Sequence, residues 1–167
     1  STALGSPRQG LVLVVELSSA MFQKDLAPSR LLQLRSTLNQ LLQAPPPGEM
    51  ALVVHAADAY TVVPLTADSA NIGLYVDALS PSVMPADGLQ LGAAIDRAQG
   101  LLVDAGLAAG RILVLGSAAE PAAAMAAAAA QAQGSRVDVL AFAAGGADAG
   151  LRAVAAAGGG LALAVGP

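Results

Sequence analysis

A chain of 167 residues is the size of one compact domain, and 55% hydrophobic against 12% charged residues exclude a disordered polymer. Eight Lys and Arg against twelve Asp and Glu leave a net charge of -4, without the basic stripe that a nucleic-acid binder needs to neutralise phosphates. Aromatics at 2% (Phe22, Phe142, Tyr60, Tyr75) offer no stacking platform for bases or sugars, and the lack of cysteine removes disulfides, thiolate chemistry and Cys-based zinc sites.

In chain order, Gly10 to Leu17 is a nearly continuous apolar run rich in Val, the pattern of a strand covered on both faces. Pro28-Ser29-Arg30 opens a helix in which Leu31, Leu34, Leu38, Leu41 and Leu42 form one apolar stripe, a Pro at an early helical position fitting the start. Pro45-Pro46-Pro47-Gly48 stops it. Met50 to Ala56 is a second strand, Ala57-Asp58 a tight turn, and Tyr60 to Leu65 a hairpin partner that Pro64 restricts to a sheet edge. Asp68 to Leu79 reads as a helix, Ser80 to Gly88 as a loop, and Leu89 to Ala105 as a helix with Leu91, Ile95, Ala98 and Leu102 on one face. Arg111 to Leu115 is a buried strand, Ala119 to Gln133 an alanine-rich helix suited to lying tightly on a sheet, and Val137 to Phe142 the next strand. Asp148 to Ala157 is the last helix and Gly160 to Val165 the last strand. Gly158-Gly159-Gly160 between them is a helix stop rather than a phosphate cradle.

This order predicts an α/β fold: a Rossmann-like, doubly wound three-layer α/β/α sandwich, its mostly parallel sheet of about six strands having one antiparallel edge strand. Residues 9–167 form the single domain and residues 1–8 an N-terminal tail or linker. Ligands in such folds bind beyond the C-terminal strand ends, which directs attention to Glu16 to Met21, Asp58, Asp87 to Leu89 and Gly116 to Ala118.

Enzymatic chemistry is not expected. No Gly-rich nucleotide loop follows the first strand, where Glu16-Leu17-Ser18-Ser19-Ala20 stands instead. Ser117 lies between a strand and a helix as a hydrolase nucleophile would, but Gly116-Ser117-Ala118 is not G-x-S-x-G and no base is placed beside it. His55, the one histidine, reads as a packed or hydrogen-bonded strand residue before it reads as a ligand or base. Asp77, Asp96 and Asp104 read as solvated charges on helix faces. No uncharged apolar run reaches the roughly 20 residues that span a bilayer, and Ser1 to Arg8 lacks the basic-then-apolar order of a signal peptide. A chain starting with Ser rather than Met is expected to be excised from a longer protein.

Glu16-Leu17-Ser18-Ser19-Ala20-Met21, continuing to Asp25-Leu26-Ala27-Pro28-Ser29-Arg30-Leu31, resembles the opening of a von Willebrand factor type A domain, where the first strand ends in Asp-x-Ser-x-Ser-Met. The D-x-x-P-S-R-L continuation is similar to the BatB-type members of bacterial aerotolerance operons. Met50 to Tyr60, Pro64 to Asp68, Val83 to Gly88 ahead of a helix, Arg111 to Leu115, and Ala155 to Gly159 at an A-x-x-G-G helix end agree with the family in order and spacing. The likeness spans residues 9 to 165.

The resemblance implies a metal-ion-dependent adhesion site, in which Asp, Ser and Ser from strand one, a Thr and a later Asp surround Mg²⁺ through oxygen. Here Glu16 stands at the Asp position, Ser18 survives, Ala20 replaces the second Ser, Leu89 the Thr and Ser117 the later Asp. Ala and Leu cannot donate an oxygen, so no metal and no cofactor is expected at this degenerate site. Glu16 is then held by backbone N–H groups, or meets a basic partner side chain. The expected function is a non-catalytic protein–protein interaction module in bacterial envelope stress tolerance or complex assembly. The resemblance suggests sister Bat proteins or a MoxR-type AAA+ ATPase as partners. It also suggests membrane association through segments outside this chain, with the soluble domain on the periplasmic side. The expected partner-binding face comprises Glu16, Ser18, Ser19, Met21, Phe22, Asp58, Asp87 and Ser117; within it Met21 and Phe22 read as core lids before they read as recognition residues, and an exposed Phe22 would favour docking. Two alternatives stay open: a weak divalent-cation site remodelled around Glu16 and Ser18, with Asp58 or Asp87 as a supporting carboxylate, and a purely structural or dimerisation domain.

Overall fold

The structure, a computed structural model, describes residues 8–166. Strands β1 (Gly10–Glu16), β2 (Glu49–His55), β3 (Ala59–Thr66), β4 (Arg111–Gly116), β5 (Arg136–Ala141) and β6 (Gly159–Ala164) form one sheet in the order β3-β2-β1-β4-β5-β6. Every neighbouring pair is parallel except β2 with β3. The expected doubly wound α/β fold with one antiparallel edge strand is therefore the one observed. Five helices flank the sheet: α1 (Arg30–Gln43), α2 (Ser69–Val76), α3 (Leu91–Asp104), α4 (Pro121–Ala132) and α5 (Ala149–Ala157). Short 3-10 turns occupy Ser19–Phe22 and Pro81–Val83.

Every residue of β1 is buried, because side chains alternate between two apolar layers. Val12 and Val14 pack with Ile95, Ala98 and Leu102 of α3, Ala127 of α4 and Leu151 of α5. Leu11, Leu13 and Val15 face the other way, onto Leu31, Leu34 and Leu38 of α1 and Ile72 and Val76 of α2. Ala123, Ala127 and Ala130 bring α4 close to its neighbours, an approach that larger side chains would prevent.

Helix boundaries differ from the sequence reading by a few residues, and each difference has a local cause. Ser29 caps α1 by accepting from the Leu32 N–H at 3.1 Å, so Pro28 precedes the cap instead of lying inside the helix. α3 starts at Leu91 rather than Leu89 because the Glu120 carboxylate, from the segment before α4, binds its first N–H groups. α4 begins at Pro121, which needs no donor there. Gly158 closes α5, and Gly159 takes a φ of +72°. A Cβ on Gly160 would meet the Val137 carbonyl oxygen, so this triplet both stops the helix and lets β6 reach β5.

The expected tail falls, apart from Arg8, outside the described residues. Arg8 pairs with Glu49 at 2.6 Å and donates to the Ala105 carbonyl. Among the described residues no helix is long and apolar enough to cross a membrane.

Ala127→Leu, which overfills the layer between α4 and the sheet, is expected to lower stability by about 1–3 kcal/mol in urea denaturation. The same change at exposed Ala128 is expected to leave it within about 0.5 kcal/mol.

Candidate functional site

The strand order reverses between β1 and β4: the chain leaves β1 for β2 on one side and returns to β4 on the other. The crevice beyond their C-terminal ends is the place where such folds bind ligands. Glu16 ends β1 there, in register with His55 of β2, while Gly116 ends β4. Glu16 is 1% exposed. Its Oε1 accepts from the N–H groups of Ser117 (2.8 Å) and Ala118 (3.3 Å), and its Oε2 from the hydroxyls of Ser18 (2.5 Å) and Ser117 (2.9 Å). The methylene that distinguishes Glu from Asp gives the carboxylate the reach to span from β1 to the loop after β4. Gly116 leaves it room: a Cβ there would lie 2.7 Å from Oε1 and 2.9 Å from the Glu16 Cβ.

Three further carboxylates tie neighbouring loops. Asp87 Oδ1 accepts from the N–H groups of Ser19 and Gly88, both at 2.9 Å, joining the loop after β1 to the loop before α3. Hydrogen bonds from the Ser19 hydroxyl and N–H hold Asp87 below the usual carboxylate range. Asp25 grips Arg30 through both oxygens (2.7 and 2.8 Å) and accepts from the Ala144 N–H at 3.0 Å, which anchors the loop after β5. The Arg30 bond foremost, with the Ala144 N–H behind it, holds Asp25 far below its ordinary value. Glu120 caps α3 through the Leu91 (2.9 Å) and Gly92 (2.8 Å) N–H groups, an acid at a positive helix end.

His55 is buried, and its Nδ1 accepts a long bond from the Gln90 N–H at 3.4 Å. Burial lowers its pKa to about 4 against the opposing attraction of Glu120, so the imidazole is neutral at pH 7. Among the described residues, every buried side-chain nitrogen or oxygen has a hydrogen-bond partner.

The expected site residues divide into groups. Glu16, Ser18 and Ser117 come together, but as buried groups bound to one another, which corrects their place on a partner-facing surface. Met21 is fully buried among the α1-side leucines, which removes it from the expected face and agrees with its reading as a core lid. Ser19, Phe22 and Asp87 are exposed; Phe22, at 49%, is not the core lid that the sequence reading favoured for it. Asp58 is exposed in the β2–β3 turn and opens onto a groove with Thr61, Asp96 and Arg97, with no hydrogen bond to the Glu16 cluster. Ala20 and Leu89 are half-buried and contribute no oxygen from their side chains.

Sequence reasoning missed the roles of Glu120 and Asp25. Glu120 directly precedes a Pro-initiated helix, a visible signal, but the helix it caps is α3, which no spacing discloses.

These groups do not fit a six-coordinate Mg²⁺. The Glu16 oxygens are taken by four hydrogen bonds, and the Ser18 and Ser117 hydroxyls both donate to that carboxylate. Among the described residues no three of Asp, Glu and His lie close enough together to hold a metal ion.

The fold and the switch-point face define a class of domain, and comparison with known proteins names it. A family model described as von Willebrand factor type A domain matches residues 11–120, and the chain belongs to that family. An aerotolerance-related membrane protein from Bacteroides fragilis is 23% identical with a TM-score of 0.84, the match covering 94% of this chain and 91% of that one. The conserved hypothetical protein BatB from Bacteroides thetaiotaomicron is 23% identical with a TM-score of 0.85, covering 95% and 90%. A von Willebrand factor type A structure from Catenulispora acidiphila is 17% identical with a TM-score of 0.73, covering 97% of this chain and 39% of that one. At these identities the likeness to solved structures establishes the fold. No curated protein matches the sequence.

Glu16→Ala leaves two buried N–H groups and two hydroxyls without their acceptor, and is expected to lower stability by about 2–4 kcal/mol. Glu16→Gln, which keeps one acceptor for the N–H groups, is expected to cost less than half of that; denaturant midpoints measure both. The depressed His55 pKa sets a second expectation. The unfolded imidazole takes up a proton near pH 6.5 and the native one only near about 4, so stability is fullest above pH 6.5 and falls as pH drops. Between about pH 7 and pH 5 the loss is about 2 kcal/mol, and His55→Gln flattens that slope.

Proposed function

We propose that this domain is a non-catalytic, metal-independent protein-interaction module of a BatB-like bacterial membrane-associated protein, acting in envelope stress tolerance or complex assembly. The observation that carries the reading is the Glu16 carboxylate, whose oxygens are bound by protein donors at the place where the family's ligands bind. With that site closed to a cation, binding rests on contact area and local charge. The 3-10 turn Ser19–Phe22 packs against the turn Pro81–Val83, Phe22 and Val83 are 49% and 62% exposed, and Asp87 holds the Ser19 N–H at the start of the first turn. Such an apolar pair with a carboxylate at its rim suits a partner offering an apolar pocket with basic flanks.

Two features support a non-enzymatic role. The Ser117 hydroxyl is bound to Glu16, and His55 is neutral, buried and engaged with Gln90, so nucleophile and base are not paired. The likeness to an aerotolerance-related membrane protein and to BatB supports a Bat-type role, and the partners proposed with it are sister Bat proteins or a MoxR-type AAA+ ATPase. That the first is described as a membrane protein supports attachment through membrane segments outside this chain; the periplasmic side is part of the proposal.

Titration with Mg²⁺ and Mn²⁺ against an EDTA control, followed by thermal shift and calorimetry, is expected to give neither a melting shift nor heat. A saturable shift abolished by Glu16→Gln would overturn the metal-independent reading. Phe22→Ala is expected to weaken capture of a sister Bat protein or the ATPase at least about tenfold, in EDTA as in Mg²⁺, with the melting temperature unchanged. Capture that EDTA abolishes would reject the proposal.

A further inference from the structure

Helix α3 is capped from outside its own segment. Its N-cap residue, Gln90, makes no side-chain capping bond. Three successive N–H groups at this end instead find acceptors far away in the chain: Gln90 on His55 Nδ1 at 3.4 Å, and Leu91 and Gly92 on the Glu120 carboxylate. The Gln90 bond differs in kind from the other two. A neutral imidazole has one lone pair, and the nitrogen that accepts is also the nitrogen that acid protonates. Once it is protonated, two donors face each other in a buried site, and His55 lies too deep for water to take the place of the lost acceptor.

The segment held by this bond is lightly anchored. Between the turn Pro81–Val83 and Leu91 no residue belongs to a helix or strand, and Pro85, Ala86, Asp87 and Gln90 are exposed. Ala86 is tied to the β2–β3 turn by the Ala57 N–H at 3.2 Å, and Asp87 to the Ser19 N–H. Gly88 lies close on that turn, where a Cβ would come 2.8 Å from the Ala57 Cα. Gly92, in the first turn of α3, lowers the tendency of the helix to close by itself. Exposed backbone with few buried contacts is the kind of segment that opens without the rest of the fold.

The charged groups on the elements around the imidazole are Glu16 on β1, Asp58 in the turn after β2, Asp87 in the loop, Asp96 and Arg97 on α3, and Glu120 ahead of α4. Glu16 is bound to Ser18, Ser117 and Ala118, and Arg97 reaches Thr61 of β3. Glu120 attracts a charged ring, and burial outweighs that attraction.

We infer that His55 is an acid-sensitive latch on the start of α3: a proton taken up at Nδ1 removes the acceptor of the Gln90 N–H, and the segment from Met84 to Gly92 opens while the sheet stays folded. The latch does not rest on the docking reading. It bears on that reading because Asp87 lies in the opening segment and holds the Ser19 N–H, so opening also frees the turn that carries Phe22.

Native-state hydrogen exchange of the 167-residue chain, followed amide by amide from pH 7 to pH 5 and corrected for the intrinsic rate, tests the latch. The opening constant at Gln90, Leu91 and Gly92 is expected to rise about twentyfold, the ratio set by proton uptake near 6.5 in the open segment and near about 4 in the closed one. Urea below the unfolding transition is expected to leave these three amides unaffected. The Val12 and Val14 amides of β1, which exchange by unfolding of the whole domain, speed up with it. His55→Gln keeps an acceptor that does not titrate, and is expected to hold the change at the three amides within about twofold. Two results in the unmodified chain overturn the inference: an opening constant that does not change with pH, and exchange at Gln90 to Gly92 that follows urea as β1 does. A pH response in His55→Gln equal to that of the unmodified chain overturns it as well.

Discussion

The buried carboxylate of Glu16 is the constraint on which the C-terminal end of the sheet depends. An ionised group taken out of water costs several kcal/mol unless its oxygens are met by donors. Four bonds from Ser18, Ser117 and Ala118 meet them. Two of these residues follow β4, so satisfying the charge fixes the loop after β4 against the end of β1. Gly116 is part of the same requirement, since a side chain there would collide with the carboxylate it faces.

Asp25, Asp87 and Glu120 extend the same device outward, each spending its oxygens on N–H groups of a different loop or helix end. Backbone donors at strand and helix ends are the groups that make this kind of face receptive to anions and, through added oxygens, to cations. Here the acidic side chains fill that demand from within. The outward surface then falls to Ser19, Phe22, Val83 and Asp87, which explains why the docking reading rests on an apolar pair and not on an ion.

Beneath that face, the packing relies on small side chains. Alanines on α4 and a glycine at the start of α3 let helices approach each other and the sheet; a Cβ on Gly92 would lie 3.0 Å from Glu120 and 3.1 Å from the Ala122 backbone. Close approach also places Glu120 within reach of the α3 N-terminus, so packing and capping are one arrangement.

Much of the architecture was legible in the chain alone. The Val-rich runs became buried strands, the leucine stripe of α1 became the layer beneath Leu11 and Leu13, and Pro64 marked an edge strand. These follow from apolar periodicity and proline geometry, which act over a few residues and are written locally. Resemblance supplied the positions of Glu16, Ser18, Ala20, Leu89 and Ser117, and their chemistry argued against a cation. What it could not supply was direction: Met21 pointing inward, Phe22 outward, and Asp58 onto a separate groove depend on how loops settle on the finished sheet. The sequence by itself determined the strands and the helices. Only the tertiary structure decided that Glu16 would be bound by a loop 101 residues away and that α3 would be capped by Glu120, 28 residues beyond Gly92. Hydrogen bonds hold to within tenths of an ångström, and donors so far apart in the chain are brought to that accuracy only when the sheet closes around them.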